Sequence, residues 1–367
     1  MKNQFKWRWI LPFVIVLTWA NAMPPDFMAA AADRPQAGIF ISNDARYFTY
    51  GLLLDEDRYY SQGIHMFWHS APKKVPAMGM AESIVSKVLG ATALASMVRF
   101  GQDIFTPNDL LMTEPLVVED RAFCGWTHLD VAQRFYVSHY NRPARLHVQV
   151  DVGVIGPASF ADVIQTWFHE KRRQSSDHPE LDPDPSEGWE HQYGSTGFPG
   201  RLQFALHYGL GALNWRLDEY TGFDLGVTTH LNAGMLYGNL GAGLLFRAGL
   251  LKRSLFVPHL LKRFRGWECF VFGVSKTGFT GWNKVLSGGV SEVEPAPVFW
   301  QNEFGLVIAL PFPSIEISAS LSMWSRETKT MPEEAFQSGH TDYRPKLQER
   351  GALFDHGFGR LCMSWLW

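Results

Sequence analysis

The sequence predicts an all-β fold, a twelve-stranded antiparallel transmembrane β-barrel with a short helix in an outer loop, and three observations predict it. Twelve segments alternate apolar with polar residues, each about the 10 residues that a tilted membrane strand needs. The N-terminus reads as an export signal, and no later stretch offers the run of about 18 apolar residues that marks a helical span. The last alternating segment ends on an aromatic, Trp367.

The leader carries Lys2, Lys6 and Arg8, then the apolar run Ile10 to Leu17 broken only by Pro12, then Ala20-Asn21-Ala22. A basic start, a short apolar middle and an A-x-A site describe a signal peptide over residues 1–22, with the Ala29 to Ala32 run as the second cleavage choice. The barrel is then expected over 37–367. A formal net charge of −3 gives no reason to expect nucleic acid. Cys124, Cys269 and Cys362 are far apart and odd in number, which fits neither a disulfide framework nor a zinc motif. They read as small packing residues.

The expected strands run Ala37 to Asp44, Asp57 to Ser70, Ser96 to Phe105, Ala122 to Val137, Ala144 to Ile155, Gly200 to Leu213, Gly222 to Gly234, Asn239 to Ala248, Trp267 to Phe279, Val298 to Leu310, Ser314 to Ser325 and Phe358 to Trp367. Between the second and third, AESIVSKVLGATALA (Ala81 to Ala95) reads as a packed helix, a plug or a periplasmic decoration. In lipid every backbone group must be paired internally, so exported strands of this kind are most economically closed into a barrel. The inward side is expected to be polar, with Gln149, Asp151 and Glu316 facing it.

Strand parity sets sidedness. If the N-terminus starts in the periplasm, the connections after Asp44, Phe105, Gly156, Gly234, Phe279 and Ser325 face outward, and these are expected to be the long ones. The acidic stretch Ser175 to His191 then belongs to the third outer loop, where a solvated loop is preferred over a cation site. The basic stretch Leu250 to Gly266 falls on the periplasmic side as a solvated turn.

The clearest local signal is Leu146 to His169. Leu146, Val148, Val150, Val152 and Val154 share one face, and His147, Gln149, Asp151 and Gly153 the other. Gly156-Pro157 stops this strand, and the period then changes, so that Asp162, Gln165 and His169 fall on one face of a short helix. Parity gathers Asn43, Asp44, Ser61, Gln165 and His169 at the outer rim. A neutral imidazole near carboxylate and amide oxygens suits a water-activating base or a metal site, although a lone loop histidine is more often merely solvated.

Ordered motifs in the first half carry a resemblance: Asn43-Asp44, DRYYSQG (Asp57 to Gly63), GQDIFTPND (Gly101 to Asp109), EDRAF (Glu119 to Phe123), DVGVIGP (Asp151 to Pro157) followed by Gln165 and His169, and GWEHQ (Gly188 to Gln192). Together they resemble the outer-membrane lipid A 3'-O-deacylases of the LpxR type, which are twelve-stranded calcium-using barrels. The resemblance covers Ala37 to Gln192 and thins to barrel-like pattern afterwards. It implies His169 as the base that activates water, Asn43 and Asp44 as ligands of Ca2+, and Ser61 and Gln165 in the same pocket. It also implies lipid A of lipopolysaccharide in the outer leaflet as substrate, the cell outer membrane as location and a monomeric state. Two further readings stay open: a phospholipase-type barrel with Ser61 as nucleophile, and a pore or adhesin with no chemistry.

Overall fold

In a computed structural model of the chain, residues 36–43, 62–70, 78–107, 121–139, 142–175, 188–251, 267–288, 293–310, 315–325 and 356–366 are described. They form one closed antiparallel barrel of twelve strands. The strands are β1 (Gln36–Asn43), β2 (Gln62–Ser70), β3 (Thr92–Phe105), β4 (Cys124–His139), β5 (Arg142–Ile155), β6 (Gly200–Arg216), β7 (Thr221–Gly234), β8 (Tyr237–Leu250), β9 (Glu268–Asn283), β10 (Val298–Leu310), β11 (Ile315–Trp324) and β12 (His356–Leu366). Each pairs with its chain neighbours, and β1 closes onto β12, with Gln36 opposite Leu366. Among the described residues, three α-helices decorate the cylinder: α1 (Gly79–Leu89), α2 (Ala161–Ser175) and α3 (Lys284–Ser287). No described helix is long and apolar enough to cross a membrane, which leaves the strands to do so.

The alternation does what lipid demands. Along β7, Asp224, Thr228, His230 and Asn232 are buried in the lumen, while Val227 on the opposite face is exposed to the acyl chains. Gln149, Asp151 and Glu316 are buried inward, as their parity predicts. Inside, Asp224 accepts from Asn214 Nδ2 at 2.8 Å, Arg216 Nη1 at 2.8 Å and Arg247 Nε at 2.7 Å. Glu303 accepts from Arg360 Nη1 at 3.1 Å and Ser320 Oγ at 2.7 Å. A buried charge is tolerable only when paired in this way.

The lumen is not polar throughout, contrary to expectation. Near the periplasmic rim Leu245, Leu251, Phe270, Phe272, Val274 and Val307 form a buried apolar cluster. Near the outer rim Cys124, Trp126, Ile155, Leu236 and Val285 form another. Polar and apolar groups thus share the lumen side by side: Arg247 stands in one row with Phe272, and Glu303 with Val274.

Three expectations need correction. The helix expected up to Ala95 ends at Leu89, where Gly90 takes the left-handed conformation at φ 61°, and β3 begins at Thr92, four residues before Ser96. That helix, α1, is a decoration on the outer wall, packing Val85 near Phe135 and Leu146. The outer connection after Gly234 is not long: Met235 and Leu236 alone join β7 to β8. The acidic residues 176–187 and basic residues 252–266 lie outside the described residues.

Candidate functional site

The site is built where β5 ends. Ile155 is extended, Gly156 turns at φ 70°, and Gly156–Ser159 form one 3-10 turn with Pro157 in its first positions. Phe160 then adopts φ 57°, the one described non-glycine residue in the left-handed region. For a bulky side chain this conformation costs on the order of 1–2 kcal/mol and survives only where neighbours impose it. The imposing contacts are visible. Gln102 Nε2 of β3 and Thr127 Oγ1 of β4 donate to the Ser159 carbonyl at 2.7 and 2.8 Å, and Gln102 Nε2 also donates to Thr127 Oγ1 at 3.0 Å.

Gln102 and Thr127 face away from the lumen, since their neighbours Gly101, Asp103, Trp126 and His128 form the inward rows. The turn therefore folds α2 back over the outer surface of the wall. Gly125 makes the seat. A Cβ there would lie 2.1 Å from Ala161 Cβ and 2.2 Å from Ser159 Oγ, so only glycine admits the helix. Ala161 and Ile164 pack with Ile104, Phe123 and Trp189, and Tyr193 N donates to the Phe123 carbonyl, which ties the segment after the acidic loop to the same rim. The opposite side of α2 is apolar and open: Phe160, Val163 and Trp167 are each more than half exposed.

Gln165 lies one turn beyond Ala161 and is buried, and its Oε1 accepts no hydrogen bond. Asp162 Oδ1 and Gln192 Oε1 are likewise buried and unpartnered. A buried polar atom left bare costs about 1–3 kcal/mol, which marks these oxygens as open to a ligand. His169 stands on α2 four residues after Gln165. Asn43 ends β1, opposite Gln62 of β2 on one side and Gly359 of β12 on the other. Its row continues through Ile104 to Gly125, the residue on which α2 sits. Asp44 and Ser61, the chain neighbours of Asn43 and Gln62, lie outside the described residues.

The chain matches the family model of the outer membrane protein LpxR over residues 11–345. It belongs to the LpxR family. Among solved structures, LpxR from Salmonella typhimurium matches with a TM-score of 0.64 and 17% identity, covering 90% of this chain and 100% of that one. The β domain of the Bordetella autotransporter Brka (TM-score 0.37, 8% identity, 90% and 98% covered) also matches. So does the translocator domain of the autotransporter NalP from Neisseria meningitidis (TM-score 0.36, 8% identity, 96% and 99% covered). No curated protein sequence matches significantly. This LpxR-family barrel is accordingly a protein of the cell outer membrane.

Sequence reasoning missed the residues that seat α2. Gln102 and Thr127 are polar residues at lipid-side positions just below the outer rim, an exception to the alternation that was visible in the sequence. It also missed an inward trio, His65, Asp103 and His128, whose donor atoms lie within 4.8 Å of one another. Each stands on an expected strand, but only the register brings them together.

Proposed function

We propose that this LpxR-family barrel is an ester hydrolase that removes the 3'-linked acyloxyacyl group of lipid A in the outer leaflet, with His169 as general base. One observation carries the reading: α2, which bears Gln165 and His169, is seated on the lipid side of the wall and not over the lumen. Chemistry on a membrane lipid needs its groups there.

Reach supports the assignment. Asn43 and Gly125 are separated by three strand spacings along their row, roughly 14 Å. His169 is eight residues beyond Ala161 on α2, roughly 12 Å along its axis. The helix begins over β4 and packs with Ile104 of β3, which is the direction of β2 and β1.

In the proposed reaction His169 takes a proton from water, the resulting hydroxide forms a bond to the ester carbonyl carbon, and the bond to the sugar oxygen breaks. That oxygen leaves with the proton returned by His169, giving a free fatty acid and a sugar hydroxyl. The amide of Gln165 and the hydroxyl of Ser61 would orient the carbonyl. A divalent cation fits the donor chemistry, because the amide and carboxylate oxygens of Asn43 and Asp44 are hard ligands of the kind calcium takes. Asn43 and Asp44 would hold it, and when bound it would supply positive charge beside the developing oxyanion. A closed barrel leaves no strand edge that demands a second copy, so a monomer suffices.

Mass spectrometry of lipid A from cells with and without the protein tests the activity. Loss of the 3'-linked acyl groups is expected only with it. In detergent, excess chelator should abolish hydrolysis and Ca2+ should restore it. Full activity in chelator, together with labelling of Ser61 by a phosphonate, would instead support a serine nucleophile. We also propose that residues 1–22 are removed on export; N-terminal sequencing of the mature protein should start at Met23, and a start near Ala32 would assign the second site.

A further inference from the structure

We propose that the lumen holds one divalent transition-metal ion of the zinc class between His65 of β2, Asp103 of β3 and His128 of β4. This site is on the opposite face of the wall from the proposed hydrolase site, and the inference does not rest on that function.

Register builds it. His65, Gly101 and His128 form one inward row across β2, β3 and β4, and Asp103 stands in the next inward row between Gly63 and Trp126. His65 Nε2 is 3.0 Å from Asp103 Oδ1, and His128 Nε2 is 3.1 Å from Asp103 Oδ2. One donor atom from each residue lies within 4.8 Å of the others. Tetrahedral zinc, with bonds of about 2.0–2.1 Å, spaces its ligands about 3.4 Å apart, so a small rotation of either ring completes the set.

Gly101 leaves the necessary space. A Cβ at that position would lie 2.1 Å from His65 Nδ1 and 3.0 Å from His128 Cε1. The rings are held by stacking: His65 on Phe40 with centroids 4.2 Å apart, and His128 on Trp126 at 4.1 Å. Asp103 stays partly exposed, whereas both imidazoles are buried.

The outer partners favour a cation. His128 Nδ1 bonds to Asp130, whose other oxygen accepts from Arg99 Nε. The bond from Nδ1 to Asp130 leaves Nε2 as the ring atom that faces Asp103, the arrangement that second-shell carboxylates give at metal centres. Two acceptors about 3 Å apart are stable only with a proton or a cation between them. Two imidazoles and one carboxylate are ligands for the zinc class, whereas calcium would seek more oxygens. With three protein ligands, a fourth position is left for water. Bound there, the ion would tie together β2, β3 and β4.

The test uses the full untagged mature protein, folded in detergent after chelator treatment, loaded with Zn2+ or Co2+ and dialysed. One equivalent of zinc per chain should be retained, excess Ca2+ should not displace it, and Co2+ should show the intense visible bands of tetrahedral coordination. His128→Ala and Gly101→Val should each retain none while keeping the heat-modifiable gel shift of a folded barrel. Wild-type protein that retains no zinc would overturn the proposal, as would variants that retain as much as wild type. Should neither variant fold, the wild-type cobalt spectrum decides, since only the weak bands of octahedral, water-bound cobalt would refute the site.

Discussion

Replacing His169 with glutamine is expected to lower deacylation by roughly 10²–10⁴-fold and to leave the barrel folded. Glutamine keeps similar bulk and hydrogen-bonding capacity but cannot take the proton from water. The residue stands on α2 outside the ladder of strand pairs, so the heat-modifiable gel shift should persist. Rates measured from pH 5 to 9 should lose, in the variant, the limb set by imidazole ionisation. An absent folded band would assign His169 a structural role. Unchanged turnover with a folded band would mean that another group is the base, with His178 and His191 of the same loop the next to test.

The second large effect is expected at Gly125, which touches no reacting atom. Gly125→Val places carbon where Ala161 Cβ and Ser159 Oγ stand, and neither is the free end of a flexible chain that can swing aside. The helix must lift from the wall. Displacing catalytic groups by about 1 Å can cost on the order of 10²-fold, so activity should fall at least that far. Stability should change less, because the new side chain points away from the lumen and leaves the strand pairing of β3 with β4 intact. Val152→Ala, at an exposed lipid-side position, is the control and should leave turnover unchanged. Wild-type activity in Gly125→Val would show that the seat of α2 does not position the site.

Most of the cylinder was legible because lipid and lumen impose opposite polarity on successive residues. Leu146 to Val154 shows this in its purest form, and the structure pairs that strand with β4 and β6. Where the contrast fades, so did the reading. Thr92 to Ala95 carries small residues of little contrast and was assigned to a helix, although Gly90 was the available stop signal. The apolar clusters of the lumen were hidden for a related reason: Phe270, Phe272 and Val274 alternate with Val271, so both faces of β9 are greasy there. In the site, the helix carrying Gln165 and His169 could be read from its change of period. Its seat could not, because Gly125, Gln102 and Ser159 are distant in sequence and meet only through the fold.

The open side of α2 has a kinetic meaning. Phe160, Val163 and Trp167 extend the lipid-facing surface of the wall, on which Ile64, Phe100 and Leu129 are also exposed. A helix that is apolar towards the acyl chains and docked on the barrel behind it floats at a set depth in its leaflet. In the proposed reaction, substrate would arrive sideways, by diffusion in a plane, without leaving the bilayer. The quantity that sets the rate is the number of substrate molecules per unit area of membrane. In mixed micelles, adding inert detergent at constant bulk lipid A should slow turnover in proportion to the fall in surface mole fraction, whereas an enzyme supplied from the water phase would not respond.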